Sequence, residues 1–450
     1  MHFLQLDVDL VLTILSHLPP PDAFQLALTC KSLHEVSMQR RLSHIAVSQT
    51  WTRVRLYKFC KYVATSDLRL RCVTGLSLSF FPPSPSGKTT AYDLAPLFAW
   101  VIRRMTRLAY LRCTRLGHVL KATPCLVDAI AEHTTLTRIE FRSSDDEMLR
   151  LLSRMESRPS SVFCSFASTG NTGPSVPISE FLGRFSKSLV ALELACSLPL
   201  VFEKWTGTAS WRCGSVRHLT LSHSVIKKLP IIARTFPRVK TLRIVFASIT
   251  DPHVPVEWPT IDYLSTTCPV MLSHPVRRMS LHASATWSII LYPEMLSRSS
   301  PIVLACQADP LSINCVARFA HCVKFLQLFV PDVPNARGYA YTDDLLKVLL
   351  PKLTFVPLEG ITLMLRLDFE LDEMSSHVYA EAIASCCPSV RYVGLTAHTT
   401  DAGAVVDREA INYVWYEVIS RGGRGGPKLS VLSEGEGTCT LNLSHFDRNL

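Results

Sequence analysis

The sequence predicts an α/β fold in which a short three-helix unit precedes a long run of parallel strands joined by helical crossovers. Three observations carry this expectation. Capped apolar stretches fill about the first 45 residues, a six-residue phrase recurs along the remainder, and helix-forming stretches rather than hairpin turns separate its copies.

The first helix is expected over residues 6–18. Wound at about 100° per residue, it spreads Leu6, Val8, Leu10, Val11, Leu12, Ile14, Leu15 and Leu18 over roughly 240° of its circumference and leaves Asp9, Thr13, Ser16 and His17 as a polar strip. A surface helix buries a stripe of somewhat over 100°, so about half of this sector needs a cover from elsewhere. Pro19, Pro20 and Pro21 end the helix, since proline lacks the amide donor and turns the residue before it away from helical geometry. Asp22 is expected as the N-cap of a second helix, with Gln25 completing a capping-box-like pair. Ser32 and Glu35 form a stricter box that opens a third helix, with Leu33, Val36, Leu42 and Ile45 on its apolar side.

In this order the residues resemble an F-box. The pattern begins with Leu6 and Asp9, continues with Leu10, Val11, Ile14 and Leu15, then Leu18, Pro19 and Asp22, and closes through Leu26 and Leu28 on Cys30 and Lys31. The likeness covers residues 6 to about 46, roughly a tenth of the chain. Asp7 stands where the family usually has proline, and Leu33 stands near a common tryptophan. The resemblance implies docking on the Skp-type adaptor of cullin-RING ubiquitin ligases, with Leu6, Asp9, Leu10, Ile14, Leu18, Pro19, Asp22 and Leu26 as contacts. Otherwise the first helix packs on the later chain and is simply core.

Beyond the helices the phrase apolar-x-x-apolar-x-apolar starts at residues 73, 108, 136, 189, 216, 239, 276, 323, 358 and 390. Each copy ends in period-two alternation, the mark of a short strand with one buried face. "IVLAC" at 302 fills one of the long gaps. Helical stretches precede most copies, as in "LAPLFAWVIRRM", "CLVDAIAEH", "ISEFLGRF" and "HVYAEAIASC", and prolines stop the chain in "TFPRVKTLRI" and "CCPSVRYVGL". Helix then strand without hairpin signals requires parallel strands.

This L-x-x-L-x-L core resembles leucine-rich repeats, although the asparagine that usually follows the strand is missing and the spacing is uneven. The resemblance implies an irregular leucine-rich-repeat solenoid with parallel strands on the concave face and helices on the convex face. The expected organisation is an F-box at 1–48, a connecting helical segment at 49–72, the solenoid at 73–433 and a tail at 434–450. "FFPPSPSGKTTAY", "SVFCSFASTGNTGPSVP" and residues 247–275 are expected to bulge from it as loops. An ordinary doubly wound α/β domain is the alternative.

Between the core positions of the strands, Tyr110, Arg112, Arg138, Arg142, His218, Arg243, Arg278 and Tyr392 are expected to face the concave surface, with His282 and Phe325. Guanidinium groups pair with carboxylate or phosphate and aromatic rings add contact area at low entropy cost. An acidic or phosphorylated protein substrate is the expected ligand, against a basic but merely solvated face.

Catalytic and metal readings find little. "PSPSGKTT" has Pro82 where a phosphate-binding loop needs glycine, and no nucleophile elbow, paired zinc-ligand histidines or nucleotide fingerprint occurs. No cofactor and no metal are expected. The fifteen cysteines include no C-x-x-C pair and mostly sit in apolar surroundings, which reads as reduced core. The formal charge of +10 is spread without a run of like charges, and the single "RGGRGG" at 421–426 lies beside "SEGEG", so nucleic acid is not the expected partner. Neither a signal peptide nor a membrane-spanning run is recognisable, which predicts a cytoplasmic or nuclear protein with no membrane partner. The leading function is a non-catalytic substrate-recognition subunit of an SCF-type ubiquitin ligase. The competing one is a leucine-rich-repeat scaffold or ligand sensor that never meets the adaptor.

Overall fold

The structure is a computed structural model that describes residues 7–29, 31–48, 51–79, 91–166, 178–196, 212–282, 291–330, 344–365, 373–397, 413–421, 426–433 and 436. It divides into two compact units, residues 1–226 with 234–238, and residues 227–233 with 239–450. It is an α/β fold of alternating helices and strands. Eighteen strands fall among the described residues: sixteen belong to the long ladders, seven in the first unit and nine in the second, and the two-residue strands Val225–Ile226 and Ser248–Ile249 are separate from them.

Unit 1 begins with the helices α1 (Val8–His17), α2 (Pro20–Thr29) and α3 (Lys31–Ser43). The Asp7 side chain caps α1 by accepting from the Asp9 amide at 3.2 Å. Asp22 is not the cap of α2. That helix starts at Pro20, and the Pro19 carbonyl accepts from the amides of Asp22 and Ala23. The physical reason is that a proline in the first turn loses only an amide that would have been unsatisfied there anyway. Likewise α3 opens at Lys31, one residue before the expected Ser32 cap, and Ile45 lies beyond its end.

Directly after α3 the chain becomes β1 (His44–Val47). The helices α4 (Arg53–Ala64) and α5 (Asp67–Cys72) then lead to β2 (Gly75–Ser79), β3 (Tyr110–Thr114), β4 (Arg138–Ser144), β5 (Ser161–Phe166), β6 (Ala191–Cys196) and β7 (His218–Ser222). All seven strands pair in parallel in sequence order. The fourth position of each phrase, Leu76, Leu111, Ile139, Leu192 and Leu219, falls in one ladder that Val162 of β5 completes, and every member is buried. Burial alternates along β3 and β5, so one face belongs to the core and the other is partly open.

The segment that the sequence predicts to bulge as a loop from Ser161 opens instead with the strand β5. Ser161–Phe166 carries the same alternation, Val162, Cys164 and Phe166 inward, without the leading apolar residue of the phrase.

Unit 2 contains β8 (Thr241–Val245), β9 (Tyr263–Thr266), β10 (Arg278–Leu281), β11 (Val303–Gln307), β12 (Phe325–Phe329), β13 (Gly360–Leu365), β14 (Tyr392–Ala397), β15 (Val414–Ser420) and β16 (Lys428–Leu432). β8 to β14 are parallel and continue a ladder through Leu242, Leu264, Met279, Leu304, Leu326, Ile361 and Val393. β9 lies inside the expected bulge at 247–275, and β11 is the "IVLAC" strand. β15 and β16 pair antiparallel, a reversal that the phrase pattern did not announce.

The strands of unit 2 are buried on both faces in the middle of the run, with every residue of β12 inaccessible. On the side away from the phrase ladder, Val303, Phe325, Tyr413 and Trp415 form a cluster against which Tyr392 and Leu432 pack. Gly360 makes the room, because a Cβ there would stand 2.1 Å from the Phe325 ring. The loops 80–90 and 167–177, with the glycosylation-like Asn442-Leu443-Ser444, lie outside the described residues.

Twelve described cysteines are free thiols, and eight of them are buried. Burial pushes the Cys60, Cys164 and Cys387 thiols up to about 12 and Cys268 up to about 11, which keeps them protonated and inert. Cys386 and Cys387 donate to the carbonyls of Leu346 and Leu350, so this vicinal pair fastens a helix. Arg421, the first residue of "RGGRGG", donates to the carbonyls of Ala384 and Val390 and serves the fold.

Candidate functional site

The apolar sector of α1 is divided between two destinations. Val11 and Leu15 go inward to meet Ala23 and Leu33, with Leu18, Leu26 and Val36 packed around them. Leu10 and Ile14 stay outside, 54% and 38% exposed. They are four residues apart and therefore neighbours on one helix face. Leu28 on α2 is 62% exposed as well. Of the other expected contacts, Asp9, Pro19 and Asp22 are exposed, Leu18 and Leu26 are half-buried in the helical core, and Leu6 lies outside the described residues. Arg40 ties α3 to the end of α1 by donating to the Leu18 carbonyl at 3.3 Å.

On the open face of unit 1 the structure brings Tyr110, Arg112, Arg138 and Arg142 together on adjacent strands. The residue that organises them is one the phrase pattern passed over. Glu140 is 7% exposed and accepts from the Tyr110 hydroxyl at 2.6 Å and from Arg142 Nε at 2.5 Å, with Arg112 Nε at 3.5 Å. Burial pushes its carboxyl up, but the hydrogen bonds from Tyr110 and Arg142 and the charges of Arg142 and Arg112 outweigh that and hold it below the ordinary carboxylate range. Two of the expected substrate arginines are thus ion-paired within the face.

Arg138 lies over the Tyr110 ring at 5.4 Å, and Arg142 over Phe163 at 5.6 Å. A depression of about 240 Å³ opens among Arg138, Glu140, Arg142, Phe163, Glu193 and His218. It joins cations, carboxylates and an aromatic ring, a mixed surface rather than a purely basic one.

The unit 2 residues are differently occupied. Arg243 and Arg278 flank Tyr263 at 5.8 and 5.6 Å, and Arg278 donates to Gln327 at 3.2 Å. His282 Nε2 stands 2.9 Å from the Ser265 hydroxyl and 3.3 Å from that of Ser280. Phe325 is fully buried and so is not part of an accessible face, and Tyr392 leans on the same cluster. The antiparallel β15, which carries Trp415, supplies the cover that the local pattern did not contain.

Charge was also less evenly spread than a search for runs implied. Residues 31–72 carry nine Lys and Arg against the two carboxylates Glu35 and Asp67. A windowed charge count would have found this segment, which α3, β1, α4 and α5 fold into one corner of unit 1.

Two comparisons bear on these surfaces. A family model described as the F-box domain matches residues 3–44, the stretch that holds α1, α2 and α3. No curated protein matches the chain. No described helix is long and apolar enough to cross a membrane.

Proposed function

We propose, from an F-box domain at residues 3–44 with Leu10 and Ile14 uncovered upon it, that this chain is the substrate-recognition subunit of an SCF-type cullin-RING ubiquitin ligase. The α1 face docks on the Skp-type adaptor, and the partly open sheet face of unit 1 holds a protein target. Catalysis resides elsewhere in the assembly, and this chain's contribution is to orient the target, since proximity and alignment supply much of the rate of a transfer step. Orientation is favoured by the junction at Ser43 and His44, where α3 runs into β1 with no linker and the Ser43 carbonyl accepts from the Thr74 amide at 3.0 Å, which ties the end of the docking helices to the sheet.

The observation that carries this reading is the exposure of Leu10 and Ile14 inside the matched segment. Fully burying an exposed leucine or isoleucine is worth about 1.5–3 kcal/mol; covering what Leu10 and Ile14 still expose adds roughly half of that each, so a partner is held by these two together with their neighbours once association costs are met. Ile14→Asp places a charge in that contact and is expected to abolish co-purification with the Skp-type adaptor while circular dichroism and melting temperature stay unchanged. Binding by the variant at the level of the unaltered chain, or absence of the unaltered chain from adaptor complexes, would leave the repeat-scaffold reading in its place.

A further inference from the structure

A second surface lies beside β1, distinct from the Leu10 and Ile14 face. β1 is the last strand on its side of the sheet in unit 1, and no described strand pairs with its outer edge. In a parallel ladder part of the N–H and C=O groups of an end strand point away from its one partner. Against this strand opens a trough of about 600 Å³, lined by His44, Ile45 and Ala46 of β1 together with residues of α2, α3 and α4.

The walls combine two chemistries. Phe24, Trp51 and Phe59 supply aromatic surface, with the last two rings edge-on at 5.3 Å. Arg41 lies 3.4 Å from the centre of the Phe24 ring, Arg55 lies 4.7 Å from that of Trp51, and Lys58 stands beside them. No carboxylate is found among the described lining residues. Here aromatic side chains and exposed cations meet a strand edge that no described strand pairs.

We infer that this trough is a docking site for an extended acidic segment of a partner protein, which adds to β1 as an outer strand. Main-chain pairing with β1 supplies register, an aromatic or branched side chain enters between Phe24 and Trp51, and carboxylates meet Arg41, Arg55 and Lys58. Each part answers a feature already present: edge strands capture extended peptides, and guanidinium groups stacked on rings are held ready for carboxylates. A nucleic acid strand would match the charge and the rings but leave the strand edge unused.

The test uses the full chain and a fluorescein-labelled peptide of about seven residues that alternates glutamate with valine around a central phenylalanine, followed by fluorescence anisotropy. Saturable binding is expected, weakening as salt rises. It should fall at least about tenfold in Arg55→Glu with Lys58→Glu, both exposed positions, and for the peptide with lysine in place of glutamate. Methylating one alternate set of peptide amides should abolish binding while the other set is tolerated. No saturable binding, equal loss from both methylated sets, indifference to the charge reversal, or displacement by oligothymidine at lower concentration than by unlabelled peptide would each overturn the inference. The charge-reversed variant still binds the Skp-type adaptor, and Ile14→Asp still binds the peptide, so failure at one surface is separable from failure at the other.

Discussion

Glu140 sets the character of its sheet face from a position of 7% exposure. Because its folded pKa is depressed below the ordinary 4.5, the carboxylate contributes stability that is present above the unfolded value and lost as pH falls through the folded one. Glu140→Gln removes that titration and leaves Arg112 and Arg142 with a neutral neighbour. The variant is expected to be about 1–3 kcal/mol less stable at pH 7, and its stability should fall less steeply than the unaltered chain's as pH drops below about 4.5. Urea midpoints taken between pH 3 and 7 check both the offset and the slope. Tyr110 follows the same carboxylate: burial first, then the hydrogen bond to Glu140, holds its hydroxyl above the usual tyrosine range, so it remains a donor. At Ile14 the exposure, not the chemistry of the side chain, distinguishes it from Leu15 one residue on.

Among the elements, the strands of unit 2 depend on glycines where aromatic rings approach the backbone closely. Gly360→Ala puts a methyl group 2.1 Å from the Phe325 ring, and Gly394→Ala puts one 2.8 Å from Thr362 Cγ2 and 3.0 Å from Trp415. Both crowd the same cluster, but the Phe325 ring is boxed in by Trp415 at 6.1 Å between ring centres. Gly360→Ala should therefore cost about 1–3 kcal/mol and Gly394→Ala less, a ranking that denaturant midpoints of the two variants would test. The helices show the opposite economy. Asp145 and Asp309 each cap a helix by accepting from amides in the first turn, at 3.1 Å from Met148 and at 2.9 and 3.0 Å from Leu311 and Ser312. Such caps are worth about 1 kcal/mol apiece.

For the molecule as a whole, stacked strand-helix units pass stability only to their neighbours. Trp415→Ala removes a ring that packs on Val303, Phe325 and Tyr413 and should cost about 3–5 kcal/mol locally. The expected signature in hydrogen exchange is lost protection across β11 to β14, with β2 to β6 of unit 1 unchanged. Equal deprotection of both sets would mean that the chain opens as a single cooperative body. The charge distribution belongs to this scale too, since a formal +10 for the chain conceals a segment, residues 31–72, that carries nine cations against two carboxylates.

Local pattern by itself determined the fold class, the three N-terminal helices, and every strand that begins with the six-residue phrase, because period-two alternation and helix-stopping prolines act over a few residues. Leu76, Leu111, Ile139, Leu192 and Leu219 fall in one ladder for that reason. Tertiary structure alone decided what covers each face. It made strands of His44–Val47, Ser161–Phe166 and Tyr263–Thr266 by pairing them with neighbours already in place. It sank Phe325 beneath Trp415, some ninety residues later, and set Glu140 among arginines from two strands. Alternation along a strand says that a side chain has a face, whereas its burial and charge depend on residues distant in the chain that only packing brings near.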